Sequence, residues 1–292
     1  MDRHELLQKI TTFPLIASGL AEDLLSGDFR SVFKGQGIEF DEVRHYEPGD
    51  DVRAIDWNVS ARFGTPYVKM YREERELTVC IVLDNSASMH TGGGAGDLSR
   101  YEQGVLAAAL IAFSAESSGQ RVGAVFFDRE LSTVFSPRKG RAHIMTVISA
   151  ALRGKSRGRG SGLGAALKGT GRLLKRRSLV AVISDFLCLN WEEEMGDLSR
   201  RHDVIALRIS SPLDIAIPGT GLIVMEDPET GLRIHAPAAF PSFQKAWTEW
   251  HEERVRYWKT ACRRCGAAAA ELSTAADAPA VLKRFFGGRS RL

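Results

Sequence analysis

The sequence lacks any long hydrophobic run. Its longest apolar stretches, such as residues 105–113, are far shorter than the ~20 residues that a transmembrane helix needs. The first residues also lack a basic segment followed by an apolar core, which is the pattern of a secretory signal peptide. The sequence therefore predicts a protein without a membrane span, and a cytoplasmic location is expected.

Cysteine is scarce, with four in 292 residues. Cys80 and Cys188 lie in or beside apolar runs, and we expect them to be buried thiols. Cys262 and Cys265 form a Cys-x-x-Cys motif inside a predicted helix. A zinc site would need a second pair of ligands and a redox site a thioredoxin-like context, and the sequence contains neither. A structural role for this motif is therefore favoured.

Acidic residues are absent between residues 131 and 184, whereas this segment contains twelve lysines and arginines. Because the whole chain carries a net charge of +3, the remainder sums to 3 − 12 = −9. Such a segment favours an acidic protein, a nucleic acid or an anionic lipid, or it is a solvated helix face with a basic loop. Aromatic residues that stack on single-stranded bases are nearly missing from it, since Phe135 is the only one, and this argues against nucleic-acid binding.

Strand and helix patterns alternate along most of the chain. Continuous apolar runs predict strands at residues 78–83, 121–127, 131–135, 178–184, 203–209 and 268–272, with helical patterns between most of them. This alternation predicts a mostly parallel sheet with helices on both faces, a Rossmann-like α/β fold. We assign it to residues 77–292, with a hairpin insertion around residues 212–237.

Residues 1–76 have a different character. Residues 1–30 show apolar residues at roughly helical spacing, whereas residues 31–77 are rich in turn signals such as Pro48-Gly49 and Gly64. We predict one or two short helices followed by a small β-rich module.

Small oxygen-bearing side chains follow two of the predicted buried strands. Asp84, Ser86 and Ser88 come after the first of these strands, Asp185 comes after a later one, and Ser161 precedes a predicted helix. The carboxyl ends of parallel strands meet at one edge of a sheet, where α/β folds bind ligands. Any one of these residues alone is most simply a helix cap. Together they are hard oxygen ligands of the kind that Mg²⁺ or Mn²⁺ prefers.

This pattern resembles the metal-ion-dependent adhesion site of von Willebrand factor A domains. Asp84, Ser86 and Ser88 match the Asp-x-Ser-x-Ser motif, Asp185 matches the aspartate after the fourth strand, and Ser161 stands where threonine is usual. The resemblance implies that the three serines bind the metal directly and that the two aspartates act partly through water. It also implies an open coordination position for the carboxylate of a protein partner.

The preceding module, from Gly37 to Arg62, is similar to the signature of the domain-of-unknown-function 58 family, which places it before a von Willebrand A-like domain. The matching residues are Arg44, Tyr46, Pro48, Gly49, Asp50, Asp51, Arg53, Asp56, Trp57 and Arg62. We expect a structural role for them: Asp50, Asp51, Arg53, Asp56 and Arg62 as a paired charge network, and Tyr46 and Trp57 as apolar anchors.

These observations predict a non-enzymatic, metal-dependent interaction protein. The family resemblance implies a MoxR-type AAA ATPase as partner. The basic loop with Lys155, Arg157 and Arg159 is a candidate surface for an acidic partner. The alternatives are a metal-dependent hydrolase or phosphatase and a nucleic-acid binder. A haloacid-dehalogenase-type phosphatase needs a second aspartate at position 86, which is serine here, and no nucleophile elbow is present.

Overall fold

The structure is a computed structural model, and it describes residues 10, 13, 38–73, 77–92, 98–154, 160–217, 219 and 221–289. The chain divides into two compact units. The smaller unit contains the described residues 38–73, and the larger one contains the residues from Leu77 onward. Ile10 and Phe13 are buried and belong to the larger unit. The small unit thus begins later in the chain than the predicted module of residues 1–76.

The small unit is a strand pair closed by a short helical connection. Strand β1 (Ile38–His45) pairs antiparallel with β2 (Tyr67–Glu73), and between them lie a 3₁₀ helix (Val52–Ala54) and helix α1 (Trp57–Phe63). Two aspartates begin these helices. The Asp51 side chain accepts a hydrogen bond from the Arg53 amide, and Asp56 accepts from two amides at the start of α1. Such caps satisfy amides that have no partner within the helix.

The charged signature residues form separate contacts within this unit. Arg44 donates a hydrogen bond to Asp50 at 2.6 Å, and Lys69 lies 3.6 Å from Asp56. Both Arg53 and Arg62 are exposed. The expectation that Trp57 is an apolar anchor is wrong, because its side chain is 70% exposed at the start of α1. In place of one network, the unit thus contains two separate ion pairs, a capped 3₁₀ helix and a capped α-helix.

The larger unit is built on a six-stranded sheet. Its strands are β3 (Thr78–Asp84), β4 (Arg121–Phe127), β5 (Leu131–Arg138), β6 (Leu179–Ser184), β7 (Asp203–Ser210) and, after a small hairpin of β8 (Ile223–Glu226) and β9 (Arg233–Ala236), β10 (Ala268–Ser273). Its helices are a 3₁₀ helix (Ala87–His90), α2 (Arg100–Ser117), α3 (Arg141–Leu152), α4 (Leu163–Leu173), α5 (Glu192–Arg201), α6 (Pro212–Ile215), α7 (Pro241–Cys265) and α8 (Ala278–Arg289).

The strand order is β10-β7-β6-β3-β4-β5, and all neighbours are parallel except the edge strand β5. The predicted fold class, a Rossmann-like, mostly parallel sheet with helices on both faces, is confirmed. After β3 the chain proceeds to β4 and β5 on one side, and then returns to β6 on the other side. The carboxyl ends of β3 and β6 therefore flank the point where the strand order reverses, which is where open α/β sheets form binding crevices.

Helices cover both faces of the sheet. Helix α2 contacts α3 and α8 on one face, whereas α4, α5 and α7 form a layer on the other. The second layer packs on Cys80 and Val82 of β3. Helix α2 is buried along most of its length, from Arg100 to Ala115, because its Ala- and Leu-rich sequence has no wide polar face.

One polar side chain of α2 joins this helix to the segment at the end of strand β10. Gln103 is 1% exposed, and its amide group donates hydrogen bonds to the carbonyl groups of Ser273 and Ala276, both at 2.9 Å. These carbonyls lie at and just after the end of β10. A buried amide needs such partners, so the position of α2 depends on residues that come about 170 positions later.

The four cysteines are free thiols. Cys80 and Cys262 are buried, whereas Cys188 and Cys265 are partly exposed. The thiol of Cys265 donates a hydrogen bond to the carbonyl of Glu192 at 3.2 Å, so within α7 this cysteine contacts the neighbouring helix α5. None of the helices in the described part of the chain is both long enough and apolar enough to cross a membrane.

Candidate metal centre

Asp84 is the last residue of β3 and is completely buried. Strand pairing sets Leu83 against Ile183, so Asp84 lies beside Ser184 on β6. One carboxylate oxygen, Oδ2, accepts a hydrogen bond from the Ser184 hydroxyl at 2.6 Å. The other, Oδ1, accepts from the Ser86 amide at 2.8 Å. These bonds fix the carboxylate at the edge of the sheet.

The two serines of the motif lie on the short 3₁₀ turn that follows. Ser86 precedes the helix Ala87–His90 and Ser88 lies within it. Their hydroxyl oxygens are 3.2 Å apart, and both residues are buried. The tight turn therefore brings alternate hydroxyls to one place next to Asp84.

Asp185 follows β6 directly and is 3% exposed. Its Oδ1 accepts a hydrogen bond from the Leu187 amide at 3.0 Å, whereas its buried Oδ2 has no hydrogen-bond partner among the described residues. The next residue, Phe186, has a φ of 53°, a left-handed conformation that is strained for a side chain of this kind. The chain thus turns sharply at Phe186, and Asp185 lies at the edge of the sheet.

Ser161 lies in the segment just before α4. The amide of the adjacent Gly162 donates to the carbonyl of Asp128 at 2.6 Å, which ties this segment to the turn after β4. The Ser161 hydroxyl is buried and, within the described residues, has no hydrogen-bond partner. Buried polar atoms rarely lack hydrogen-bond partners, so this hydroxyl oxygen and Oδ2 of Asp185 are two oxygen atoms available to bind a ligand.

Burial disfavours ionisation of both carboxylates and raises the pKa of each. Burial, together with the charge of Asp185, raises the pKa of Asp84 to about 7. Burial also raises the pKa of Asp185, although the nearby Ser88 hydroxyl and Arg100 guanidinium partly oppose this. Two buried aspartates are unfavourable as a pair of anions unless a cation lies between them. The electrostatics therefore fit a divalent ion.

The donor set is two carboxylates and three hydroxyls, the hard oxygen ligands that Mg²⁺ and Mn²⁺ prefer. Among the described residues, no group of three or more histidine, cysteine, aspartate or glutamate side chains is placed to hold a metal. A metal in the described part of the chain would therefore depend on hydroxyl oxygens as well as carboxylates. The serine-containing centre supplies both kinds of ligand.

A third carboxylate reaches this centre from a distant part of the chain. Glu229, in the turn between β8 and β9, accepts hydrogen bonds from the amide of Ser88 at 2.9 Å and from the amide of Gly160 at 2.5 Å. One side chain thus joins the two loops that carry the serine hydroxyls. Sequence analysis missed this residue, although the turn itself was predicted as part of a hairpin.

Arg100 anchors the outer side of the centre. It is 7% exposed, forms an ion pair with Asp214, and donates hydrogen bonds to the hydroxyl of Thr91 and the carbonyl of Ser88. His90 is held as well, because its ring stacks on Tyr101 and bonds to the side chain of Asn85. The 3₁₀ turn is therefore fixed from several sides.

The basic residues proposed to bind a partner, Lys155, Arg157 and Arg159, lie outside the described residues. The described residues Gly154 and Gly160 border that segment, and Gly160 is the residue whose amide bonds to Glu229. In the sequence, the predicted basic loop therefore directly precedes Gly160 and Ser161 of the candidate metal centre.

Residues 42–254 match the family described as "Protein of unknown function DUF58". The chain belongs to the DUF58 family. An uncharacterized protein of Mycobacterium tuberculosis is 32% identical over 297 residues, which cover 100% of the DUF58 chain and 92% of that relative.

Two solved structures are similar to this DUF58 fold. One is an aerotolerance-related membrane protein from Bacteroides fragilis, with 16% identity, 74% of this chain and 100% of that chain covered, and a TM-score of 0.50. The other is the SpRpn10 VWA domain, with 10% identity, coverages of 72% and 94%, and a TM-score of 0.39. At these identities the likeness concerns the fold alone.

Proposed function

We propose that this chain is a non-enzymatic interaction protein that binds a carboxylate of a partner protein through Mg²⁺ or Mn²⁺. The ion would be held by Asp84, Ser86, Ser88, Ser161 and Asp185. The main support is a pair of buried atoms, Asp185 Oδ2 and Ser161 Oγ, which have no hydrogen-bond partner among the described residues and belong to separate loops at one sheet edge. A bound ion would supply a positive charge that attracts the partner's carboxylate.

The protein groups around the ion have distinct tasks. The Ser184 hydroxyl and the Ser86 amide orient the carboxyl group of Asp84, which fixes this buried side chain before any ligand arrives. The Leu187 amide holds Oδ1 of Asp185, so Oδ2 would be available to the ion. Such orientation of ligands by their neighbours usually matters strongly for metal affinity.

The described residues of the centre favour binding over catalysis. A nucleophile needs a base within hydrogen-bonding reach. His90 bonds to Asn85 rather than to a hydroxyl, and both oxygens of Asp84 already accept hydrogen bonds. Burial raises the pKa of the Cys188 thiol to about 12, which makes it a poor nucleophile. Metal-dependent turnover of a phosphoester such as p-nitrophenyl phosphate, lost in Asp84→Asn, would contradict this proposal.

Metal binding is tested by titrating the protein with Mn²⁺ in a calorimeter. Wild type is expected to bind one ion, and Asp84→Asn and Ser161→Ala are expected to weaken that binding at least tenfold. The matched controls are Asp197→Asn on the exposed face of α5 and Ser114→Ala inside α2, which should bind Mn²⁺ as wild type does. Equal affinity in all five proteins would refute the metal centre.

The partner we propose is a MoxR-type AAA ATPase, as the family resemblance implies, and the basic segment of residues 131–184 favours an acidic contact surface on it. Because such an ATPase needs Mg²⁺ for its own nucleotide, chelation would not isolate the centre. Binding of the purified ATPase is therefore compared between Asp84→Asn and Asp197→Asn at constant Mg²⁺. Loss in the first variant alone supports the proposal, and equal binding contradicts it.

A further inference from the structure

The turn that carries Glu229 is shaped to present this side chain. Asp227 accepts hydrogen bonds from the Glu229 amide at 2.9 Å and from the Thr230 hydroxyl at 2.6 Å. Gly231 closes the turn with a φ of 73°, a left-handed conformation that glycine adopts without strain. Glu229 is thus held at the tip of an ordered turn.

At the proposed metal centre the Glu229 carboxylate accepts hydrogen bonds from two backbone amides. Those amides belong to Ser88, which is one of the proposed ligands, and to Gly160, which precedes another, Ser161. Converging amides from separate loops form a site that favours an anion. The chain itself therefore brings a carboxylate to the loops where a partner's carboxylate is proposed to bind.

The hairpin is otherwise weakly held within the described part of the chain. It is a two-stranded sheet, which is marginally stable alone, and its outer residues Val224 and Leu232 are 60% and 65% exposed. Beneath it lies a cavity of about 750 Å³, bounded by Met225 of the hairpin and by Trp247 and Trp250 of α7. Displacing the hairpin would therefore expose little tightly packed apolar surface to water.

We infer that Glu229 is an internal ligand, which occupies the partner's carboxylate position until the hairpin is displaced. This inference rests on the proposed function, because it assigns the occupant and the regulation of the same centre. A protein partner must then supply an acidic side chain that competes with Glu229. The cavity beneath the hairpin offers space for apolar residues beside that acid.

Glu229 has an advantage over a free carboxylate in competing for this position. Glu229 is attached to the same chain, and a tethered group of this kind acts at an effective concentration on the order of millimolar or more. A free carboxylate in solution should therefore not replace it in wild type at low concentration. Removing the side chain should leave the position open to a small carboxylate such as acetate.

The test combines Mn²⁺ affinity with water-proton relaxation, which reports water molecules exchanging on the bound ion. In Glu229→Ala we expect Mn²⁺ affinity to fall roughly 10-fold to 100-fold and the relaxation enhancement per bound ion to rise. Acetate above millimolar concentration, but not the neutral acetamide, should reverse both changes. Neither compound should affect wild type.

Two further variants separate the carboxylate from general damage to the hairpin. Glu226→Ala removes a carboxylate from the same hairpin, where it is paired with Arg233 at 2.7 Å, and should behave as wild type. Glu229→Gln keeps the size of the side chain and an acceptor oxygen but loses the charge. It should weaken Mn²⁺ binding less than Glu229→Ala.

The possible outcomes separate the two proposals. Failure of wild type to bind Mn²⁺ at all would refute the metal centre and, with it, the internal ligand. Normal Mn²⁺ binding in wild type, with unchanged affinity, relaxation and acetate response in Glu229→Ala, would refute the internal ligand alone. An effect of acetate that is equal in wild type and Glu229→Ala would also refute it.

Discussion

The loop that carries Ser161 can be disturbed without touching any proposed ligand. A Cβ atom added to Gly162 would lie 2.3 Å from the carbonyl oxygen of Arg129 and 2.9 Å from its carbonyl carbon. These are backbone atoms that cannot rotate away, so Gly162→Ala must separate the loop from the turn after β4. The hydrogen bond from Gly162 to Asp128 would then be lost. Overpacking of ~1–3 kcal/mol and a lost bond of ~1 kcal/mol predict a destabilisation of about 2–4 kcal/mol.

The same chemical change in α5 is expected to have the opposite effect. A Cβ on Gly196 meets nothing within 4 Å, and alanine is a better helix former than glycine by ~0.8–1 kcal/mol. Urea unfolding followed by circular dichroism measures both variants, and calorimetric Mn²⁺ titration should show weaker binding in Gly162→Ala alone. Wild-type stability and Mn²⁺ affinity in Gly162→Ala would refute the placement of the Ser161 loop.

Three further predictions concern other buried groups. Burial lowers the pKa of His202, so the contribution of this residue to stability is complete above the unfolded pKa of about 6.5 and is lost as pH falls below that value. The free energy of unfolding should therefore decline from pH 7 to pH 5 in wild type, and it should decline less in His202→Gln. Removing one member of the buried Arg100–Asp214 pair by Arg100→Met should lower the free energy of unfolding by ~3–5 kcal/mol. Adding Asp214→Asn should restore part of that loss, which a double-mutant cycle measured by urea unfolding would show. Strictly additive losses in the two variants would contradict the pairing. Burial raises the pKa of the thiols of Cys80 and Cys262 to about 12, so Ellman's reagent should modify them only after denaturation, and rapid reaction in the native protein would contradict their burial.

Much of the fold was predictable because its strands are continuous apolar runs that end in polar residues. The positions of Asp84 and Asp185 follow from this pattern, since each comes at the end of a buried strand. Strand β5 extends to Arg138, beyond the predicted end at residue 135, because proline is tolerated in an edge strand. Pro137 therefore lies within the strand.

The contact of Glu229 with the metal centre was not predictable from local patterns. It joins residues separated by 141 and 69 positions, and no spacing rule links a hairpin tip to a distant loop. The available signal was the polar turn at residues 227–231, which predicts a hairpin but not what its tip contacts. Trp57 was predicted wrongly for a related reason, since burial of an aromatic residue in a small module depends on its neighbours in space.

The bonds of Gln103 affect when this fold can form during protein synthesis. Helix α2 emerges from the ribosome well before Ser273 and Ala276, the carbonyl partners of its buried amide. Until those residues have left the exit tunnel, the nascent chain holds an unsatisfied polar group in its core, at a cost of ~1–3 kcal/mol. Native packing of α2 against the end of β10 is therefore delayed until Ser273 and Ala276 have left the tunnel. A nascent chain stalled earlier would expose α2 to chaperones.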